Sequence, residues 1–151
     1  MGAPHISDIQ AYIKEVTCGV SGTITAANSG SGDNVAITGA SIDRLGYGSA
    51  VFCIAYKTTL AASETLAFAV EYQESADGSN WDTATAIQAS TVAATGALTG
   101  GLGRVTFPLN LEGKKRYIRF NFTPNLSASG TDTANVAGVA ILGGSDALPV
   151  A

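Results

Sequence analysis

Few side chains in this sequence have the type and spacing that catalysis requires. The one histidine, His5, lies close to the start of the chain, whereas a Ser-His-Asp triad needs its histidine fixed beside a serine in a pocket. Glu71 and Glu74 are three residues apart, so a single strand would turn their carboxylates to opposite faces. They would therefore not form the carboxylate pair that cleaves a glycosidic bond. We expect that the protein is not an enzyme.

The sequence also lacks the patterns that bind metals or phosphates. Cys18 and Cys53 are far apart, and neither has a histidine or cysteine at metal-ligand spacing. The glycine-rich segment 96–103 does not have the strand–GxGxxG–helix setting of a nucleotide-binding loop. We therefore expect no cofactor and no bound metal. We also expect the two cysteines to remain free thiols, since two cysteines are not a disulfide framework.

The segment EYQESADGSNWDTATAIQAS (71–90) contains the single tryptophan of the chain. Its Asp77-Gly78 pair is typical of a hairpin turn, because glycine accepts the positive φ angles that such turns need. Two interpretations of Trp81 stay open. It caps the edge of the core where the next strand begins, or it forms, with Tyr47, an aromatic surface on which a glycan could stack.

Short segments in which apolar and polar residues alternate predict the strands that would position Trp81, Tyr47 and the Asp77-Gly78 turn. In residues 65–75 every second side chain is large and apolar, which predicts a half-buried strand. The runs 50–57 and 133–144 are apolar on both faces and predict strands buried on both sides. We expect a loop at 91–103. The predicted strands are 16–26, 35–42, 50–57, 65–75, 83–90, 104–111, 115–123 and 133–144. About eight strands predict an all-β, single-domain antiparallel β-sandwich that is jelly-roll-like.

Residues 1–15 differ from residues 16–151, which we assign to the sandwich. Their apolar side chains recur at the spacing of one helical face, which indicates a short amphipathic turn or an arm that packs on a neighbour. The residues at this spacing are Ile9, Tyr12, Ile13 and Val16, preceded by Ile6. We therefore predict an N-terminal arm over 1–15.

The composition indicates a surface that is partly covered by other subunits. Charged residues make up 13% of the 151 residues, against about 25% in an average soluble domain. The net charge of −4 argues against nucleic-acid binding, which needs a basic face. No apolar stretch reaches the roughly 18 residues that span a bilayer, so we expect no membrane contact. The first residues lack a secretory signal pattern, which predicts synthesis in the cytoplasm.

Two short segments resemble discoidin-like carbohydrate-binding sandwiches. Those domains carry an S-x-DG-x-x-W turn and later an RYIR strand, and this chain has ESADGSNW at 74–81 and RYIRF at 116–120. The cysteines that bridge the ends of those domains have no counterparts here. The resemblance implies a sandwich and, as an alternative function, a carbohydrate-binding module that uses Trp81 or Tyr47.

A longer resemblance is to phage capsid decoration, or cement, proteins of the β-sandwich type. It rests on VEYQESADGSNWDTA (70–84) and GKKRYIRFNFTPNLSASGTDTANVAGVAILGG (113–144). It implies a virion structural protein, commonly a homotrimer without an active site, that binds the major capsid protein on the capsid exterior after synthesis in the host cytoplasm. The residues expected to contact the capsid or a sister subunit are Ile6, Ile9, Tyr12 and Ile13. A head or tail spike or connector component remains a further alternative.

Overall fold

The computed structural model describes residues 12–26, 32–127 and 131–145. Segments in which apolar and polar residues alternate form ten β-strands in it. The strands are β1 (Lys14–Val20), β2 (Ile24–Thr25), β3 (Ile37–Thr38), β4 (Ile42–Asp43), β5 (Tyr47–Leu60), β6 (Thr65–Ser75), β7 (Thr85–Thr95), β8 (Leu98–Asn110), β9 (Tyr117–Leu126) and β10 (Thr133–Ser145). All pairs between these strands are antiparallel. The prediction of an all-β protein is confirmed.

The strands form two five-stranded sheets that pack face to face. Sheet A has the order β1-β10-β5-β8, and β2 also pairs with β10. Sheet B has the order β3-β9-β6-β7, and β4 also pairs with β9. This arrangement confirms the predicted antiparallel β-sandwich. Because the first and last described strands are neighbours in sheet A, the fold depends on pairing between distant parts of the chain.

The core is a layer of aromatic and aliphatic side chains between the sheets. Phe52 of sheet A is fully buried and stacks on Phe120 of sheet B, with ring centroids 4.8 Å apart and an interplanar angle of 3°. Phe122 packs beside Phe52 at 5.5 Å. Burying each such side chain contributes about 1.5–3 kcal/mol relative to leaving it exposed. The predicted inward face of β6 is confirmed, since its four large apolar residues, Leu66, Phe68, Val70 and Tyr72, are all buried.

Gly138 of β10 makes room for this aromatic layer. A Cβ atom at this position would lie 2.8 Å from Phe52 Cζ and 2.9 Å from Phe122 Cε1. Carbon atoms in proteins prefer separations of about 3.5–4.0 Å, so the rings occupy the space that any larger residue would need. Close packing of the aromatic rings therefore explains why a glycine stands in the middle of this strand.

The predicted loop at 91–103 is wrong, because these residues form the end of β7, a short turn at 96–97 and the start of β8. Gly103 pairs with Tyr56 of β5, and the Tyr56 side chain fills the space beside it. The Tyr56 hydroxyl then donates a hydrogen bond to the Ala93 carbonyl of β7 at 2.6 Å. Glycine thus permits close packing in an edge strand. Pro108 lies in β8, the last strand of sheet A, where a residue without a backbone N–H is tolerated.

The first described residues form a strand, whereas the spacing of their apolar residues suggested one face of a helix. β1 begins at Lys14, which pairs with Leu142, and Val16 lies inside this strand. Helical spacing therefore does not apply at Val16. Tyr12 and Ile13 are half-buried just before β1. The other two residues predicted to contact a partner, Ile6 and Ile9, lie outside the described residues.

Candidate functional site

The connection between β6 and β7 is organised by the Asp77 carboxylate. Oδ1 accepts hydrogen bonds from the backbone N–H groups of Ser79 and Asn80, at 2.9 and 2.8 Å. It also accepts one from the Ser75 hydroxyl at 2.9 Å, while Oδ2 accepts one from Asn80 Nδ2 at 2.7 Å. Gly78 has a φ of 77°, as the predicted turn requires.

These hydrogen bonds decide what Asp77 can do chemically. The backbone N–H groups of Asn80 and Ser79, together with the side chains of Asn80 and Ser75, hold the pKa of Asp77 well below its usual range. A carboxylate with so low a pKa is a poor proton donor or acceptor near neutral pH. Asp77 is therefore a structural residue of the turn, as the Asp-Gly pair suggested.

Trp81 packs on a polar cluster at sheet B. The guanidinium carbon of Arg119 lies 4.3 Å from the centroid of the Trp81 ring. Arg119 Nε and Asn121 Nδ2 both donate to Gln73 Oε1, at 2.9 and 2.8 Å. Gln73 Nε2 in turn donates to the Asp82 carbonyl at 2.8 Å. We refer to Gln73, Trp81, Arg119 and Asn121 as the Trp81 cluster.

The Trp81 cluster lies on the outer face of sheet B. Gln73 is paired with Arg119, on the face opposite to the inward row formed by Tyr72 and Phe120. Trp81 is half-buried against this outer face, so the interpretation that it caps the core is wrong. No sequence pattern near Trp81 specifies this contact, because Arg119 reaches it only through the pairing of β6 with β9.

The two residues proposed for glycan stacking are not equivalent. Tyr47 begins β5 in sheet A and is only 5% exposed, so its ring is not available as a stacking surface. Trp81 lies beside the other sheet, and the Arg119 guanidinium covers part of its ring. The structure thus places Tyr47 in the core. Of the two residues proposed for glycan stacking, Trp81 is the one that is partly accessible.

The basic residues 114–116 are engaged in ion pairs within the molecule. The pairs are Lys114–Glu74, Lys115–Asp82 and Arg116–Asp43, with N–O distances of 3.4, 2.6 and 2.7 Å. Lys114 Nζ also donates to the Tyr72 hydroxyl at 2.7 Å, which raises the pKa of Lys114. Such exposed pairs contribute little stability, about 0–1 kcal/mol each. They do compensate the densest group of positive charges in the chain.

The outer face of sheet A is apolar, unlike that of sheet B. Cys53 stands between Val139 and Thr106 in one row of paired residues, and Val51 stands between Ile141 and Pro108 in the next. We call this surface the sheet A face. Its members are Thr17, Val20, Val51, Cys53, Ala55, Thr106, Pro108, Ala137, Val139 and Ile141. Charged side chains stand at its margins and are Glu15, Lys57 and Arg104.

No described element packs on the sheet A face. Val51 is 39% exposed and Val20 67% exposed, and Leu102 beside the face is 80% exposed. The prediction that residues 50–57 are buried on both sides is therefore wrong for the outward row. The inward row fits the prediction, since Phe52 and Ile54 are fully buried. An uncovered apolar surface that spans four strands is typical of a site that binds another protein.

Cys18 and Cys53 are free cysteines in the structure. Cys18 is buried in the core, and burial raises its pKa to about 11. Cys53 is half-buried in the middle of the sheet A face. Among residues 12–26, 32–127 and 131–145, no group of three or more His, Cys, Asp or Glu residues is placed to hold a metal ion. That part of the chain also forms no helix long and apolar enough to cross a membrane.

Comparison with known proteins gives a likeness of fold. No protein-family model and no curated protein matches the sequence. A chain of the T13 particle of infectious bursal disease virus matches with a TM-score of 0.52 and 12% identity, over 86% of this chain and 30% of that one. A chain of the Gt strain of the same virus matches with 0.51 and 16%, over 86% and 32%. The chain thus spans about a third of their length.

A looser likeness, with a TM-score of 0.47 and 20% identity, is to the PBSX exported protein XepA. It covers 94% of this chain and 40% of XepA. At 12% and 16% identity, the two virus structures with TM-scores above 0.5 show a likeness of fold and do not identify a binding site.

Proposed function

We propose that this chain is a non-enzymatic structural protein of a virion, and that it decorates the outer surface of the capsid shell. The observation that carries the proposal is the sheet A face, an apolar surface that no described element covers. In a chain with only 13% charged residues, such a surface favours permanent contact with other proteins. The resemblance to capsid decoration proteins supports the same role.

The fold supports this proposal without deciding it. Sheet A aligns β1-β10-β5-β8 opposite the β3-β9-β6-β7 order of sheet B, and this order favours the jelly-roll topology proposed from sequence. The structures with TM-scores of 0.52 and 0.51 come from particles of a virus.

The proposed partner is the major capsid protein, and the proposed form is a homotrimer on the capsid exterior, made in the host cytoplasm. The sheet A face would lie against the shell, and the polar outer face of sheet B would meet solvent. A standard interface buries about 1,600 Å², so each trimer would add contacts that oppose the separation of neighbouring capsid subunits. Repetition over the shell multiplies that effect. The proposed mechanism is mechanical.

The charges at the margins of the sheet A face indicate the character of its partner. Lys57 and Arg104 stand at one side and Glu15 at the other, so the face has more positive than negative charge. The whole chain, in contrast, has a net charge of −4. An apolar surface with an acidic rim would complement it.

Binding to capsids that lack the protein tests the proposal. We compare Val51→Lys, in the sheet A face, with Val92→Lys, an exposed valine of β7 that is 57% exposed. Burying an unpaired lysine costs more than 1.4 kcal/mol, so Val51→Lys should weaken binding at least about tenfold. Val92→Lys should bind like the unchanged chain. Wild-type affinity of Val51→Lys, with its fold verified by circular dichroism, would refute the role of the face.

A carbohydrate-binding module is the second candidate, because Trp81 is partly accessible beside polar groups of the Trp81 cluster. A glycan array distinguishes it, since binding there should disappear in Trp81→Ala. A tail or head–tail connector component is the third, and it predicts six-fold rings rather than trimers. Native mass spectrometry separates that outcome from the homotrimer.

A further inference from the structure

β7 and β8 are the outermost strands of their sheets on one side of the sandwich. Within the described residues, β7 pairs only with β6 among the strands, and β8 only with β5. Away from the turn that joins them, the two strands border a cleft of about 540 Å³. Its lining includes Ile87 and Thr91 of β7 and Arg104, Val105 and Phe107 of β8. We call it the β7–β8 cleft.

The β7–β8 cleft combines an apolar floor with strand edges. Phe107 is 5% exposed, and Ile87 and Val105 are half-buried against the core. The flanking edges of β7 and β8 carry backbone groups that are not used in pairing with another described strand. An extended segment could pair with such an edge and insert alternate apolar side chains, which is the mode called β-augmentation. Arg104 at the rim favours a segment that carries an acidic residue.

We propose that the β7–β8 cleft receives residues 1–11 of a neighbouring copy of the chain. In an extended strand, Ile9 and Ala11 of this segment would face the apolar floor, and Asp8 would lie on the opposite face, on which Arg104 stands. Fully extended, its 11 residues would span at most about 40 Å, which is long enough to reach an adjacent subunit. The inference rests on the proposed homotrimer and identifies the contact that holds it together.

The position of β1 shows that the inserted segment and the β7–β8 cleft lie at opposite edges of the subunit. The segment continues into β1, which lies at the opposite edge of sheet A from β8. Lys14 is in the same row as Leu142, Ala50 and Leu109, so the segment leaves the sheet at the end next to the cleft-lining residues of β8. The inserted segment and the cleft are different surfaces of each subunit. Such a contact runs head to tail, and it closes into a trimer when neighbouring copies are related by a rotation of 120°.

Cysteine cross-linking tests the contact directly in the full-length chain. We introduce Ile9→Cys and Gln88→Cys together in a Cys53→Ser background, because Gln88 is exposed at the cleft. Oxidation should link different copies, and non-reducing gels should show covalent species of two and three chains. The Ile9→Cys and Val92→Cys pair is the control, and it should cross-link much less. A disulfide within one chain, or no more cross-linking than in the control, would overturn the proposal.

Native mass spectrometry provides a second test without capsids. The unchanged chain should have the mass of a trimer, and both Ile9→Asp and Ile87→Glu should be monomers with unchanged circular dichroism. A trimer that persists in Ile9→Asp, or an unchanged chain that is monomeric, would contradict the proposal. A monomer that still binds capsids through the sheet A face would refute only the segment exchange. A trimer that fails to bind capsids would refute the decoration role instead.

Discussion

Asp77 is a titratable residue whose carboxylate is occupied by hydrogen bonds within its own turn. Its two carboxylate oxygens accept hydrogen bonds from Ser75, Ser79 and Asn80. Sequence reasoning could predict this role, because the residues of the turn are adjacent in the chain. The contact of Trp81 with Arg119 could not be predicted in this way, because it depends on the register between two strands.

The Asp77 turn should make a pH-dependent contribution to stability. The pKa of Asp77 is lowered in the folded chain, so the contribution is present above the usual carboxyl pKa of about 3.9 and is lost as pH falls further. Asp77→Ala should therefore be less stable than the unchanged chain at pH 7. The difference should narrow progressively below about pH 4. Urea unfolding of both proteins from pH 7 to pH 2 measures it, and a difference independent of pH would contradict this role.

At the scale of elements, the alternation of apolar and polar residues predicted those strands that have large hydrophobic side chains on one face. It succeeded for β6 and β9, whose inward rows are buried. It failed at 91–103, where small residues and glycines weaken the pattern although the chain continues directly from β7 into β8. The reason is tertiary, since Gly103 accommodates the side chain of Tyr56 on the neighbouring strand. Propensity alone cannot show that a glycine is required by a partner that is distant in sequence.

Gly138 provides a test of the packing between the sheets. Gly138→Ala should destabilise the fold by about 1–3 kcal/mol, because the added methyl group would collide with the rings of Phe52 and Phe122. Gly22→Ala is the matched control, since a Cβ atom there would meet no atom within 4 Å. Equilibrium urea unfolding measures both variants. Equal stability of the two would show that the aromatic layer is not as tightly packed as described.

At the scale of the whole molecule, the two sheets have different outer surfaces. Sheet B presents polar groups such as Gln73 and Arg119, whereas sheet A presents a largely apolar face. The sequence predicted the sandwich and a surface partly covered by subunits, but it could not locate that surface. Both rows of β5 and β10 are apolar, and an apolar row is the same in sequence whether it is covered by its own chain or by another protein.

The orientation of the chain on a virion tests the central claim most directly. Under the proposal the chain is part of a virion, and electron cryomicroscopy of that virion should show β-sandwich density on the exterior of the shell. The account predicts trimers at symmetric positions, with Val51, Cys53 and Val139 of the sheet A face against the shell and the Trp81 cluster in solvent. Virions that lack this density, or density in which the outer face of sheet B contacts the shell instead, would contradict it.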